Sequence, residues 1–193
     1  MSTNIEIEAK TLISEDDYHK VIKKLSLENK DFVTQTNHYL ETPNNHLLKH
    51  GISLRVRDLK GCTLTCKIPL AEGLLEKNQS ISKDEFKSFK KDGHFPDGDI
   101  SLFLESIGVD LTKLKIVASL ETKRYELDYL GCKLAVDENI YGHNRSIIDY
   151  ELEMEGSSID NANNSLVAFC KDVGIKYELS QRSKQKRAMD AML

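Results

Sequence analysis

Charged and apolar positions alternate along much of this chain. Near the N-terminus, Glu6, Glu8 and Lys10 alternate with Ile5, Ile7 and Ala9. Successive side chains of a β-strand point to opposite faces, so these three charges share one face. The same period of two recurs downstream. In "ISLRVRD", Arg55 and Arg57 share a face against Leu54 and Val56; in "CTLTCK", Thr63, Thr65 and Lys67 oppose Leu64 and Cys66. In "LETKRYEL", Arg124 lies with Thr122 and Glu126. In "KLAVDEN", Asp137 lies with Lys133 and Ala135 against Leu134 and Val136. In "IDYELEME", Asp149, Glu151, Glu153 and Glu155 align against Tyr150, Leu152 and Met154.

The intervening segments set the element order. Residues 4–12 form a first predicted strand, followed by a helix with Ser14 as N-cap and acids in its first turn. "FVTQTNHYLET" is a second strand, ended by the turn signal "PNN". "LLKHGISLRVRDLKGCTLTCKIPL" reads as two strands around "LKG", and "GLLEKNQSISK" as another. Two short helices follow near 83–110, capped by Ser82 or Asp84 and by Asp99 or Ser101. Long strands then run to "ELEME", with a turn at "YLG". A helix capped by Asp160 comes next, and a basic helical tail near 181–193 ends the chain. The expected organisation is one domain over 1–193, with a helical insertion and a helical tail. About eight strands without regular βαβ alternation predict an antiparallel sheet or closed barrel, α+β and mainly β, with helices outside.

Two arrangements fit the charged faces. Helices could cover the apolar face of an open sheet while the charged face meets water, or the sheet could close with its charges inside. Segregation of charge bears on the choice. The first strand and "ELEME" concentrate carboxylates, "LRVR" concentrates arginines, and like charges on one solvated face repel. Grouped carboxylates suit a hard divalent cation, which takes oxygen ligands. Grouped guanidinium forks suit phosphate. Together they describe a metal–polyphosphate site.

Composition narrows the setting. The 193 residues are 39% hydrophobic and 30% charged, with a net charge of −4, so no overall basic field points to nucleic acid. No apolar run approaches the roughly 18 residues of a membrane span. Neither a secretory signal nor a lipidation signal is legible, so a cytoplasmic protein without a membrane partner is expected. Cys62, Cys66, Cys132 and Cys170 are expected to be free, packed thiols; on a strand, CxxxC holds its sulfurs too far apart to share one zinc.

The motifs taken in order resemble the CYTH domain, or triphosphate tunnel metalloenzyme, family. "EIEAK" matches its ExExK signature. "HYLETPNNHLLKHGISLRVR", "TLTCK", "TKRYEL", "LAVDENIYG" and "YELEME" match its later blocks in sequence order. The resemblance spans nearly the whole chain and lies nearest the small bacterial stand-alone members. It implies an eight-stranded antiparallel barrel forming a polar tunnel, with Mg²⁺ or Mn²⁺ as cofactor. The implied metal ligands are Glu6, Glu8, Asp137, Glu151 and Glu153. Phosphate would be held by Lys10, Arg55, Arg57, Lys67, Arg124 and Lys184, with Glu6, Glu8, Lys10 and Glu153 in catalysis. Glu76 fits less well, because its strand lacks the acid-rich pattern. Lys184 is placed by its position in the tail, where Lys186 or Arg187 could replace it. Lys123 points away from Arg124 and is left out. The implied activity is hydrolysis of inorganic triphosphate or a nucleoside triphosphate, by a monomer or homodimer. The alternatives are a class IV-type adenylyl cyclase, a thiamine triphosphatase and a non-catalytic polyphosphate-binding module. No base-reading signature favours the cyclase.

Overall fold

The computed structural model describes residues 2–193. Two N-terminal strands, β1 (Ser2–Glu6) and β2 (Glu8–Ile13), precede helix α1 (Glu15–Lys24). Strand β3 (Val33–Glu41) leads through the short helix α2 (His46–Lys49) to β4 (Ser53–Asp58), β5 (Cys62–Pro69) and β6 (Leu74–Ile81). Helices α3 (Lys83–Asp92) and α4 (Asp99–Ser106) follow, then β7 (Lys115–Tyr129), β8 (Cys132–Tyr141) and β9 (Ile147–Glu155). Helices α5 (Ile159–Val173) and α6 (Lys184–Asp190) end the chain.

The strands form one sheet in the order β1-β6-β5-β4-β3-β7-β8-β9-β2, with every neighbour antiparallel. The mainly β, α+β class is as expected, but the expected ring of eight is not. Nine strands are present among the described residues, and the ladder does not close, because β1 and β2 are its two edges. These edges are successive halves of one N-terminal segment. Glu6 pairs with Leu74 on β6, whereas Glu8 pairs with Glu155 on β9. The partner changes at Ile7, whose carbonyl accepts from the Gly156 N–H at 3.0 Å. Gly73 makes this junction possible. Its φ is +75°, and a Cβ there would lie 2.5 Å from the Glu6 carbonyl oxygen, so only glycine fits.

The apolar faces lie under helices. Leu54, Val56, Leu64 and Cys66 pack with Phe86 and Phe89 of α3 and Ile100 and Leu104 of α4. Leu134, Val136, Leu152 and Met154 pack with Val21 of α1 and with Leu166 and Phe169 of α5. Each such leucine or phenylalanine contributes about 1.5–3 kcal/mol by leaving water. Helix α6 differs. It packs Ala188 against Tyr39, Ala118, Leu120 and Tyr141, whose parity is that of the polar face. No helix among the described residues is long and apolar enough to cross a membrane. All four cysteines are buried and free, and burial pushes the Cys66 thiol up to about 12.

Local chemistry explains the helix boundaries. Ser14 caps α1 as expected. Ser82, rather than Asp84, caps α3 in a capping box: its Oγ accepts from the Glu85 N–H at 3.1 Å, and its own N–H donates to the Glu85 carboxylate at 2.7 Å. Ser82→Ala should cost about 0.5–2 kcal/mol, read as a lower thermal midpoint with unchanged far-UV dichroism. Gly98 precedes α4 in place of the expected Asp99 or Ser101 cap, because Ser101 sits three residues on and accepts from the Gly98 N–H at 2.9 Å. Ser158, not Asp160, caps α5, accepting from Asn161 at 3.1 Å. "LLK", expected in a strand, is helical in α2. Buried Glu41 turns the backbone there, accepting from the N–H groups of Thr42, Leu47 and Leu48 at 2.7, 3.1 and 2.8 Å.

Candidate active site

The polar face of the curled sheet lines a cavity of about 320 Å³. Nine of the residues singled out from sequence meet there: Glu6, Glu8, Lys10, Arg55, Arg57, Lys67, Arg124, Glu153 and Lys184. They come from β1, β2, β4, β5, β7, β9 and α6. Arg57 and Glu8 therefore face one space, although nearly 50 residues separate them. Asp137 and Glu151 do not line the cavity. They lie behind it, fully buried, within reach of Arg124 and Lys184. Lys123 points elsewhere, with its ammonium 4.5 Å from the Phe32 ring centroid.

The charges are interleaved rather than divided into an acidic and a basic wall. Lys10 pairs with Glu8 at 2.5 Å. Lys67 pairs with Glu6 and lies 3.3 Å from Glu76, so Glu76 joins the charge network beside the cavity without lining it. Arg124 forks onto Asp137 at 2.8 and 2.6 Å and also meets Glu153. Lys184 is held by three carboxylates: Asp137 at 2.9 Å, Glu151 at 2.5 Å and Glu153 at 2.6 Å. Arg187 sits behind it, 2.9 Å from both Asp149 and Glu151. Lys186, the other tail candidate, pairs with Asp190 at the surface.

Arginines 55 and 57 are less satisfied. The Arg55 guanidinium reaches Glu76 only at 4.0 Å, and its buried Nε has no partner among the described residues. Arg57 makes one long hydrogen bond, 3.4 Å to Asn37, and no ion pair among the described residues. Burial, with Arg55 and Arg124 close by, pushes the Arg57 guanidinium down to about 10. A polyanion entering the cavity would relieve this repulsion.

Asp137, Glu151 and Glu153 present oxygens that all lie within 4.8 Å of one another. Such a set of hard oxygen donors could hold a divalent cation. The Lys184 ammonium already stands among them as a cation, which shows that the trio accepts positive charge. Burial lowers the Lys184 ammonium, but Asp137, Glu151 and Glu153 outweigh it and raise it well above its usual range. Burial likewise raises the Glu153 carboxyl, yet Lys184, Arg124 and Lys10 hold it well below. A carboxyl depressed in the fold stabilises it above the unfolded value and loses that contribution on acidification. Wild type should therefore lose more stability than Glu153→Gln as pH falls below about 4.5, measured by denaturant unfolding at each pH.

The period of two also holds in β3, where it supplies lining residues that the sequence expectations omit. Gln35, Asn37 and Tyr39 face the cavity from alternate positions of "TQTNHY". Ser183, the N-cap of α6, and Gln185 within it also line the cavity, and no sequence pattern announced them.

Comparison with known proteins identifies the family and the fold. The CYTH domain family model matches residues 4–186. A Bacillus subtilis protein named "Putative triphosphatase YjbK" is 31% identical over 159 residues, covering 81% of this chain and 80% of the relative. The crystal structure of a "putative adenylate cyclase" from Bacillus halodurans superposes with a TM-score of 0.88 at 35% identity, over 97% of this chain and 98% of that one. HpAC1 from Hippeastrum, whose dominant activity is that of a triphosphatase, superposes at 0.77 with 24% identity, over 98% and 97% of the two chains. At that identity the likeness extends to the fold alone.

Proposed function

This chain belongs to the CYTH domain family, and from that membership and the cavity's charges we propose that it hydrolyses a triphosphate in a cation-dependent reaction. The observation that carries the reading is Arg57, a half-buried guanidinium without a carboxylate partner among the described residues, lining the same cavity as Lys10, Arg55, Lys67 and Arg124. Unpaired buried cations are unfavourable unless an anion completes them. Inorganic triphosphate or the triphosphate of a nucleotide supplies that anion. The 31%-identical Bacillus subtilis relative carries the matching activity in its name.

Each residue has a task in this scheme. Arg55 and Arg57 grip phosphate oxygens with planar forks, and Lys10 and Lys67 add point charges along the chain of phosphates. Asp137, Glu151 and Glu153, with Glu6 and Glu8 nearby, are the residues that would hold Mg²⁺ or Mn²⁺. When bound, such an ion offsets phosphate charge as it builds on the leaving group. Among the described residues Glu8 pairs with Lys10 alone, whereas Glu153 is shared by Lys184 and Arg124. Glu8 is therefore the freer carboxylate to orient attacking water and accept its proton. Holding the phosphates in line beside that water contributes much of the remaining acceleration.

The test is phosphate release from inorganic triphosphate, ATP, GTP and thiamine triphosphate with Mg²⁺ or Mn²⁺, repeated in excess chelator. Metal-dependent release from at least one substrate is expected. Full turnover in chelator would overturn the cation requirement. Cyclic AMP as the main product from ATP would support the cyclase reading instead, which the name of the Bacillus halodurans relative keeps in play. Tight triphosphate binding without turnover would make the protein a binding module.

A further inference from the structure

Lys184 was expected to reach a substrate phosphate, yet its ammonium lies inside the carboxylate trio. Three oxygens within 4.8 Å of one another leave room for one cation, and the ammonium is 2.9, 2.5 and 2.6 Å from Asp137, Glu151 and Glu153. Most of the negative charge is already offset. Three carboxylates meet Arg124, Lys184 and Arg187, the last shared with Asp149. A divalent ion entering beside the ammonium would bring like charges together in a buried, weakly screened place. With the ammonium gone, the trio carries a surplus negative charge and its oxygens are free to coordinate.

We propose that Lys184 is a resident cation of this chain that competes with the divalent ion for Asp137, Glu151 and Glu153, so that ion binding expels the ammonium towards the cavity. The proposal rests on reading the trio as the cation site. Only the lysine side chain has to move. Lys184 is the first residue of α6, its stem is long and flexible, and it already borders the cavity. Arg187, forked onto Asp149 and Glu151, and buried Ala188 keep the helix seated meanwhile. The arrangement offsets most of the trio's charge when no divalent ion is present. It also couples ion arrival to delivery of a positive charge into the space where phosphates would lie.

The test is Mn²⁺ binding to the full chain by calorimetry, without substrate. Lys184→Met keeps the stem and removes the charge, and it should bind Mn²⁺ at least about tenfold more tightly than wild type. Lys184→Arg keeps the charge and should bind no more tightly than wild type. Lys186→Met, on the exposed side of α6, should match wild type. Equal or weaker Mn²⁺ binding by Lys184→Met would overturn the competition. If that variant is unfolded without metal, recovery of its far-UV dichroism by Mn²⁺ but not by Na⁺ of equal ionic strength supports the proposal. Failure to fold in either salt counts against it. Manganese-dependent phosphate release by wild type, measured separately, reports on the triphosphatase reading. Release by wild type with no tightening in Lys184→Met would discard the competition alone.

Discussion

Arg57→Met should lower kcat/KM for the triphosphate substrate by about 10- to 150-fold, the loss of charge-assisted hydrogen bonds of about 1.5–3 kcal/mol. The same substitution should not lower the thermal midpoint of the free protein. Among the described residues Arg57 makes one side-chain hydrogen bond, 3.4 Å to Asn37, and Arg55 and Arg124 repel it. Methionine keeps most of the stem's packing and removes a charge that the empty cavity does not balance. Activity and stability should thus move in different directions, as expected where a site stores unfavourable charge for its ligand. The sign with pH follows. A cation whose folded value is depressed, here to about 10, destabilises the fold while it is protonated. That cost should fade as pH rises through about 10, in wild type and not in Arg57→Met. Unchanged kcat/KM in Arg57→Met would remove this arginine from the phosphate site.

Arg187→Ala should be the most damaging single change to stability in the tail, at about 3–5 kcal/mol. The Arg187 side chain is 4% exposed and bonds both Asp149 and Glu151, and Glu151 is fully buried. Truncation leaves Glu151 with Lys184 alone and frees Asp149 from its guanidinium, while Asp149 still accepts from Tyr141 and Asn139. For a chain of this length the thermal midpoint should fall by roughly 6–20 °C. Lys186→Ala removes an exposed pair with Asp190 and should cost about 0.3–0.5 kcal/mol. Similar midpoints for the two variants, in matched thermal melts, would show that the buried network does not hold α6.

These two arginines show what the order of residues determines and what it does not. Arg57 was legible. Period two is a local property of a strand, so "RVR" puts both guanidinium groups on one face whatever the strand pairs with, and "EIEAK" and "ELEME" do the same for carboxylates. That parity, with the ordered blocks from Glu6 to Glu153, was enough to name the family and eight residues of one cavity. Arg187 was not legible as an anchor. Within "SKQKRAM", Lys184, Lys186 and Arg187 are three equivalent basic residues. Docking of α6 on the polar side of the sheet makes one a cation inside a carboxylate trio, one a surface pair and one a buried clamp. The change of partner at Ile7 is likewise invisible locally, because it depends on Gly73 and Gly156 approaching from distant turns. The sequence alone determined which side chains share a face, since that needs only the backbone repeat. The tertiary structure decided which charges neutralise one another and which, like Arg57, remain unpaired, because those contacts join residues up to 61 positions apart in the charged lining, from Glu6 to Lys67.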